Sequence, residues 1–132
     1  MNHTTVTSAA SLAGRMLLSL IFITSGWSKI AGYAGTAAYM AKAGLPGGLL
    51  PLVILTELGG GLLILFGYRT RLAALLLAGF CVIAGYLFHF DPASQGQMIN
   101  FWKNLTIAGG FLTLMAHGAG GWSLDHLRAR TA

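Results

Sequence analysis

Leu49-Leu-Pro-Leu-Val-Ile-Leu-Thr-Glu57-Leu-Gly-Gly-Gly61-Leu-Leu-Ile-Leu-Phe-Gly67 is a run of nineteen residues that holds a single charge. As an α-helix rising 1.5 Å per residue, a run of this length covers the ~30 Å hydrocarbon core of a bilayer. Gly67-Tyr-Arg69-Thr-Arg71 follows, a tight turn, and residues 72–90 form a second apolar run, so the two pair as an antiparallel hairpin. Working outward, residues 12–30 and 105–122 are apolar over comparable lengths. Four such runs in 132 residues leave too little polar chain to shield them from water. The expectation is an all-α, integral membrane four-helix bundle, with one four-span domain over residues 1–132.

Composition excludes the competing classes. Apolar residues make up 55% of the chain and charged residues 8%, against roughly a quarter in a soluble domain. The mean hydropathy of +0.71 excludes a disordered chain. The single cysteine, Cys81, excludes an internal disulfide, a CxxC pair and any all-cysteine metal site. The net charge is +5, but the basic residues stand singly or in pairs between apolar runs. That is the pattern of a membrane protein and not of a nucleic-acid binder.

Residues 1–11 contain no lysine or arginine and no A-x-A site follows the first run, so that run is expected to stay in the mature chain. Four spans put the N-terminus, the 67–72 turn and the C-terminal tail on one side with Arg15, Arg69, Arg71, Arg128 and Arg130. Lys29, Lys42 and Lys103 fall on the other. Five cations against three, with two in one short turn, predict both termini in the cytoplasm. Trp27 and Trp102 then approach the outer interface and Trp122 the inner one. In the first outer loop, Thr36 is expected to cap a short amphipathic helix running to Ala43, with Gly44 as a left-handed stop before Pro46. Pro51 suits the first turn of the second span.

Lipid is as apolar as leucine, so small residues and interhelical hydrogen bonds must hold the helices together. Each span offers a face at 3-4 spacing: Arg15, Ser19, Phe22, Gly26 and Lys29; Glu57, Gly60, Ile64 and Gly67, widened by Gly59 and Gly61; Ala74, Ala78, Cys81, Gly85 and Phe88; and Lys103, Thr106, Gly110, Thr113 and His117. Gly26, Gly60, Gly61, Gly85 and Gly110 are the expected packing glycines, and the leucines are expected to face lipid.

Glu57 is the one acidic residue inside a span. A charge at that depth costs a few kcal/mol and must be paired, protonated or set against a water-filled cavity. Lys29 and Lys103 end their helices on the outer side and can reach down with flexible stems. Arg15, near the inner end, is a more distant partner. A polar pocket is therefore expected in the outer half, built from Glu57, Lys29, Lys103, His89 and Asn104. It suits a small anion, a proton or a quinone head group. The structural alternative is a buried ion pair that only sets helix register. A bis-histidine haem does not fit: His117 lies roughly 20 Å from the outer end, where His89 sits. No metal-ligand spacing, glycine-rich phosphate loop or nucleophile elbow is present, and no catalytic residue is assigned. Cys81, mid-span, reads as a small apolar filler.

Five segments recur in a known order: Arg15-Met-Leu-Leu through Gly26-Trp-Ser-Lys29, Gly35-Thr-Ala-Ala-Tyr-Met40 with Gly44-Leu-Pro46, Glu57-Leu-Gly-Gly-Gly61 through Gly67-Tyr-Arg-Thr-Arg71, Phe101-Trp-Lys-Asn104, and Gly109-Gly110. In order and spacing they resemble the DoxX family of small bacterial inner-membrane proteins, over most of the chain from Arg15 to about Leu127. The resemblance implies a four-helix bundle in the cytoplasmic membrane. It also implies, for some relatives, association with thiosulfate–quinone oxidoreductases or with complexes that manage oxidative stress. By the same resemblance Arg15, Lys29, Glu57, Lys103 and Asn104 match polar positions of the family.

Three roles stay open on the sequence. One is an accessory membrane subunit of a redox or oxidative-stress system, with quinone as the candidate ligand and a membrane redox protein as partner. The second is a non-catalytic scaffold or assembly factor. The third is a small transporter or proton pathway, for which a homo-oligomer would have to supply the room. Whether the chain is an enzyme is left open; if it takes part in a reaction, it does so as an oxidoreductase subunit.

Overall fold

The computed structural model describes residues 2–132, and among these every regular element is helical. Helix α1 spans His3–Ala31, 29 residues. It starts well before residue 12, the expected boundary, because the Asn2 side chain accepts the Thr5 N–H at 2.9 Å and caps an extra stretch of helix. Helix α2, Tyr33–Lys42, is the short element of the first loop. Thr36 does not cap it: its hydroxyl donates back to the Gly32 carbonyl at 3.0 Å, one turn inside the helix. Gly44 takes a φ of +79° and turns the chain toward Pro46.

Helix α3 covers Gly47–Phe66 in four pieces. A 3₁₀ turn, Gly47–Leu49, leads into α-helix Leu50–Ile54, with Pro51 in its first turn. A π turn, Leu55–Gly59, is followed by α-helix Gly60–Phe66, which ends on left-handed Gly67. Helix α4 spans Thr70–His89 and α5 spans Gln95–His117, the latter capped by Ser94. The last helix, α6, is Leu124–Thr131, capped by the Ser123 hydroxyl.

By length and composition α1, α3 and α4 can each cross a membrane. Helix α5 is longer than α4 but dilutes its apolar content with Gln95, Gln97, Asn100, Lys103 and Asn104. It starts at Gln95 and ends at His117, so the expected boundaries of 105–122 shift toward the N-terminus and Trp122 falls outside the helix. Lys103 and Asn104 consequently sit more than two turns inside α5 instead of at its end.

Helix α1 packs on α3, α3 on α4 and α4 on α5, with a smaller contact between α1 and α5. The buried face of α1 is Arg15, Ser19, Phe22 and Gly26, four of the five residues read from its spacing. The glycines allow close approach. A Cβ on Gly26 would lie 2.9 Å from the Leu58 backbone nitrogen, on Gly61 2.9 Å from Ile23, and on Gly60 3.1 Å from Leu77. On Gly85 it would meet the Asn104 Cβ at 3.0 Å, and on Gly110 the Leu18 side chain at 3.3 Å. The expected face of α5 is corrected. Lys103, Thr106, Thr113 and His117 are exposed, while Phe101, Ala108 and Phe111 are buried, with Asn104 half-buried between them. Apolar burial sets the rotation, and the threonines satisfy their hydroxyls on their own backbone, Thr106 on Trp102 and Thr113 on Gly109. Many leucines do face outward, but Leu50 and Leu77 are fully buried.

The core gathers toward the 67–70 turn, around Phe22, Ile64, Ala74, Leu77, Ala78 and Phe111. Cys81 is buried there as a filler. Polar side chains tie off the helix ends below it. Arg15, 1% exposed, donates to the Ile64, Leu65 and Trp122 carbonyls, the first two in the last turn of α3. Arg71 does the same for Met115 and Ala116 at the end of α5. The Asp125 carboxylate accepts the Arg69 and Thr70 N–H groups at 2.8 and 2.9 Å, capping α4 from another helix. Burial pushes the Asp125 pKa up, but the Thr70 and Arg69 amides and the Arg128 charge outweigh it, and the net shift is downward.

Candidate functional site

The opposite half, toward the two longer loops, is less tightly filled. Glu57 lies at the middle of the π turn in α3 and is 5% exposed. A π turn adds one residue to a helical turn, re-aims the side chains on it and recurs at functional positions. Gly59 ends the turn and Gly60 and Gly61 follow it, so the neighbouring helices can close on that segment.

Lys29 comes from the last turn of α1. Its Nζ lies 3.1 Å from Glu57 Oε1 and 2.9 Å from Oε2, and donates to Ser25 Oγ at 2.6 Å. Ser25 is four residues before Lys29 and so sits directly below it on the helix. Gly26, between them, sets the α1–α3 spacing against Leu58. The pair is therefore placed by a backbone contact and not by side-chain reach alone.

The pair faces a cavity of about 710 Å³ lined from all five preceding helices. Phe22 and Phe80 form its floor, with ring centroids 6.5 Å apart. Leu52, Ile83 and Leu87 are among its apolar walls. Helix α2 covers one side: Met40 is 4% exposed, and Tyr39 stacks on Phe88 at 5.3 Å. His89, Lys103 and Asn104 line the same space, as does Asn100. His89 Nδ1 is 3.0 Å from Gln97 Oε1, which ties the end of α4 to the start of α5. Asn104 donates to the Asn100 carbonyl at 3.0 Å. Lys103 is exposed and forms no ion pair among the described residues.

Of the residues singled out from the sequence, Glu57 and Lys29 are thus in direct contact, and His89, Lys103 and Asn104 border the same cavity. Arg15 is not part of it; it belongs to the carbonyl ties near the turn. His89 and His117 end α4 and α5 at opposite ends of the molecule. No group of three metal-binding side chains occurs among the described residues. Sequence reading missed Ser25, whose place one turn below Lys29 is a usable signal. It also missed Asn100 and the π turn; the apolar pattern gives no sign of the latter. Chemically, the site offers one compensated charge pair inside a mostly apolar chamber, fit for a ligand with a small polar head and an apolar body.

The DoxX family model matches residues 10–90, which carry Lys29, the π turn and Glu57. The chain is 53% identical over 116 residues to "Inner membrane protein YqjF" of Escherichia coli (strain K12), covering 88% of this chain and 89% of the relative. It is 40% identical over 121 residues to "Inner membrane protein YphA" of the same organism, covering 86% of each. It is 36% identical over 64 residues to "Putative oxidoreductase CatD" of Bacillus subtilis (strain 168), covering 48% of each. No solved structure matches the chain significantly. With more than half of its length under the family model and two relatives aligned nearly end to end, the chain belongs to the DoxX family.

Proposed function

We propose that this protein is a four-span subunit of the bacterial inner membrane that holds a quinone head group beside Glu57 and serves a redox or oxidative-stress system. The observation that carries the reading is the Glu57–Lys29 pair buried on the wall of a cavity of about 710 Å³. A pair that only fixed helix register would need no such space beside it. Phe22, Phe80 and the leucine walls suit an aromatic ring and an isoprenoid tail, while Lys29, Asn104 and His89 supply polar contacts. The names of the relatives, two inner membrane proteins and one putative oxidoreductase, agree with this setting.

The fourth span is α5, whose 23 residues are long enough to cross, with its polar residues turned to the cavity and the interface. The cations Arg69, Arg71, Arg128 and Arg130 then lie in the cytoplasm together with both termini. No side chain is assigned a catalytic role; electrons pass to a partner membrane protein, and the chain supplies the binding chamber. Organic extraction of the purified protein followed by mass spectrometry tests this. Quinone recovered near one per chain, and lost in Glu57→Gln of normal helix content, is the expected result. Equal quinone content in both proteins, or none in either, refutes it.

A further inference from the structure

The Glu57 carboxylate is short of hydrogen bonds. An ionised carboxylate offers about four lone-pair positions and no proton. Lys29 Nζ hydrogen-bonds Oε1 at 3.1 Å. Oε2 is 2.9 Å from the same nitrogen in an ion-pair contact, and has no hydrogen-bond partner of its own among the described residues. Thr56 spends its hydroxyl proton on the Leu52 carbonyl at 2.8 Å, and Asn104 directs one amide N–H at the Asn100 carbonyl and none at Glu57. No bond reaches Glu57 from Lys103 or Asn100. A group 95% buried with unfilled lone pairs facing a cavity is satisfied by whatever the occupant can donate.

We infer that the occupant of this cavity donates a hydrogen bond to Glu57, so that the site takes the reduced, dihydroxy form of a quinone in preference to the oxidised form. The inference rests on the quinone reading above and adds the redox state to it. A quinone presents only carbonyl oxygens, and against Glu57 it sets lone pairs against lone pairs. A quinol presents two O–H groups, one of which completes Oε2 while Lys29 keeps Oε1. Hydrogen bonds to a charged acceptor at a buried site correspond to about tenfold to 100-fold in affinity. Tighter binding of the reduced form also raises the midpoint potential of the bound couple. A tenfold preference shifts a two-electron couple up by about 30 mV. The chain would then collect quinol from the bilayer, as an electron-donating pool for a partner.

The test uses the full chain in micelles under argon, titrated with three matched short-chain ligands: a benzoquinol, its benzoquinone and the dimethyl ether of the quinol. Equilibrium binding is read by calorimetry. The quinol is expected to bind at least tenfold more tightly than the other two, because the ether keeps the ring and loses both protons. The wild-type comparison needs no variant. Glu57→Gln of normal helix content adds a second reading and is expected to collapse the preference to within about threefold. Quinone or ether binding as tightly as quinol overturns the inference and leaves the cavity reading standing. Failure of all three ligands to bind overturns both.

Discussion

The contact of Gly26 with Leu58 makes a sharp prediction, because the same substitution elsewhere in α1 must act with the opposite sign. An alanine Cβ at position 26 would stand 2.9 Å from both the Cβ and the backbone nitrogen of Leu58. Comfortable contact begins near ~3.5 Å, so α1 and α3 must part by roughly 0.6 Å or more. Backbone cannot rotate away as a long side chain can, and overpacking of this kind costs about 1–3 kcal/mol. The intrinsic gain of alanine over glycine in a helix, about 0.5–1 kcal/mol, offsets part of it. At Gly14 a Cβ meets nothing within 4 Å, and only the gain remains. Gly26→Ala is therefore expected to be less stable than Gly14→Ala by about 1–3 kcal/mol. Unfolding by SDS titration of micelle-held protein, followed by circular dichroism, measures the difference. Because Lys29 is one turn beyond Gly26, Gly26→Ala should also weaken quinol binding while Gly14→Ala leaves it unchanged. Two variants of equal stability would refute the claim that α1 and α3 touch through their backbones at this point.

Removing one partner of the Lys29–Glu57 pair leaves the other charge uncompensated, so Lys29→Met should destabilise by up to about 3 kcal/mol in the same titration, the cavity allowing some solvation. Lys29→Met combined with Glu57→Gln should recover most of that loss, and no recovery would show that the two residues do not interact. Arg15→Lys keeps the charge but not the fork that spans three carbonyls, and it should cost about 1–3 kcal/mol without altering ligand binding. Asp125 has its pKa lowered in the folded chain, so its contribution is present above the ordinary carboxylate range and is lost as pH falls through the folded value. Melts of wild type and Asp125→Asn between pH 3 and 7 should converge at the acid end. A constant gap across that range would count against the cap.

How far the sequence could be read depended on what decides each feature. Hydropathy and 3-4 spacing locate α1, α3 and α4 and the inward face of α1, because burial of small residues beside Arg15, Ser19 and Phe22 is written directly into residue type. Helix ends were read less well. Asn2 and Ser94 extend α1 and α5 beyond their apolar runs, and capping hydrogen bonds do not show in a hydropathy pattern. The face of α5 differs from the one its spacing predicts, because Thr106 and Thr113 are exposed and make no interhelical hydrogen bond. A threonine that bonds its own preceding turn has no need of a neighbour, whereas Phe101 and Phe111 have no other place to go. Glu57 stood out because a carboxylate inside a span demands a partner. That it sits on a π turn depends on how the backbone between Ile54 and Gly60 accommodates the helices around it, which no local pattern records.

The two ends of the molecule are built by opposite rules, and this asymmetry is what leaves room for a ligand. Near the turn, charged side chains are spent on backbone: Arg15 and Arg71 on helix-terminal carbonyls, Asp125 on helix-terminal amides. These bonds add side-chain partners at helix ends, and they tie α1 to α3, α4 to α5 and α6 to α4. Near the loops, Lys29 is spent on Glu57, and the helix ends are bridged by His89 and Gln97, by Tyr86 and Phe90 packing on Phe101, and by the cover of α2. A helix set clamped at one end can spread at the other with little loss of packing, because the core around Phe22, Leu77 and Phe111 lies on the clamped side. Helix α2 covers one side of the cavity and is not held by these ties, so a ligand is expected to enter past it. In a variant with cysteines at Tyr39 and Phe88, whose rings stack at 5.3 Å, closing the disulfide is expected to slow ligand exchange relative to the same variant reduced, with affinities of the two forms within about threefold. Unchanged exchange rates in the cross-linked protein would show that ligands enter by a route that bypasses α2.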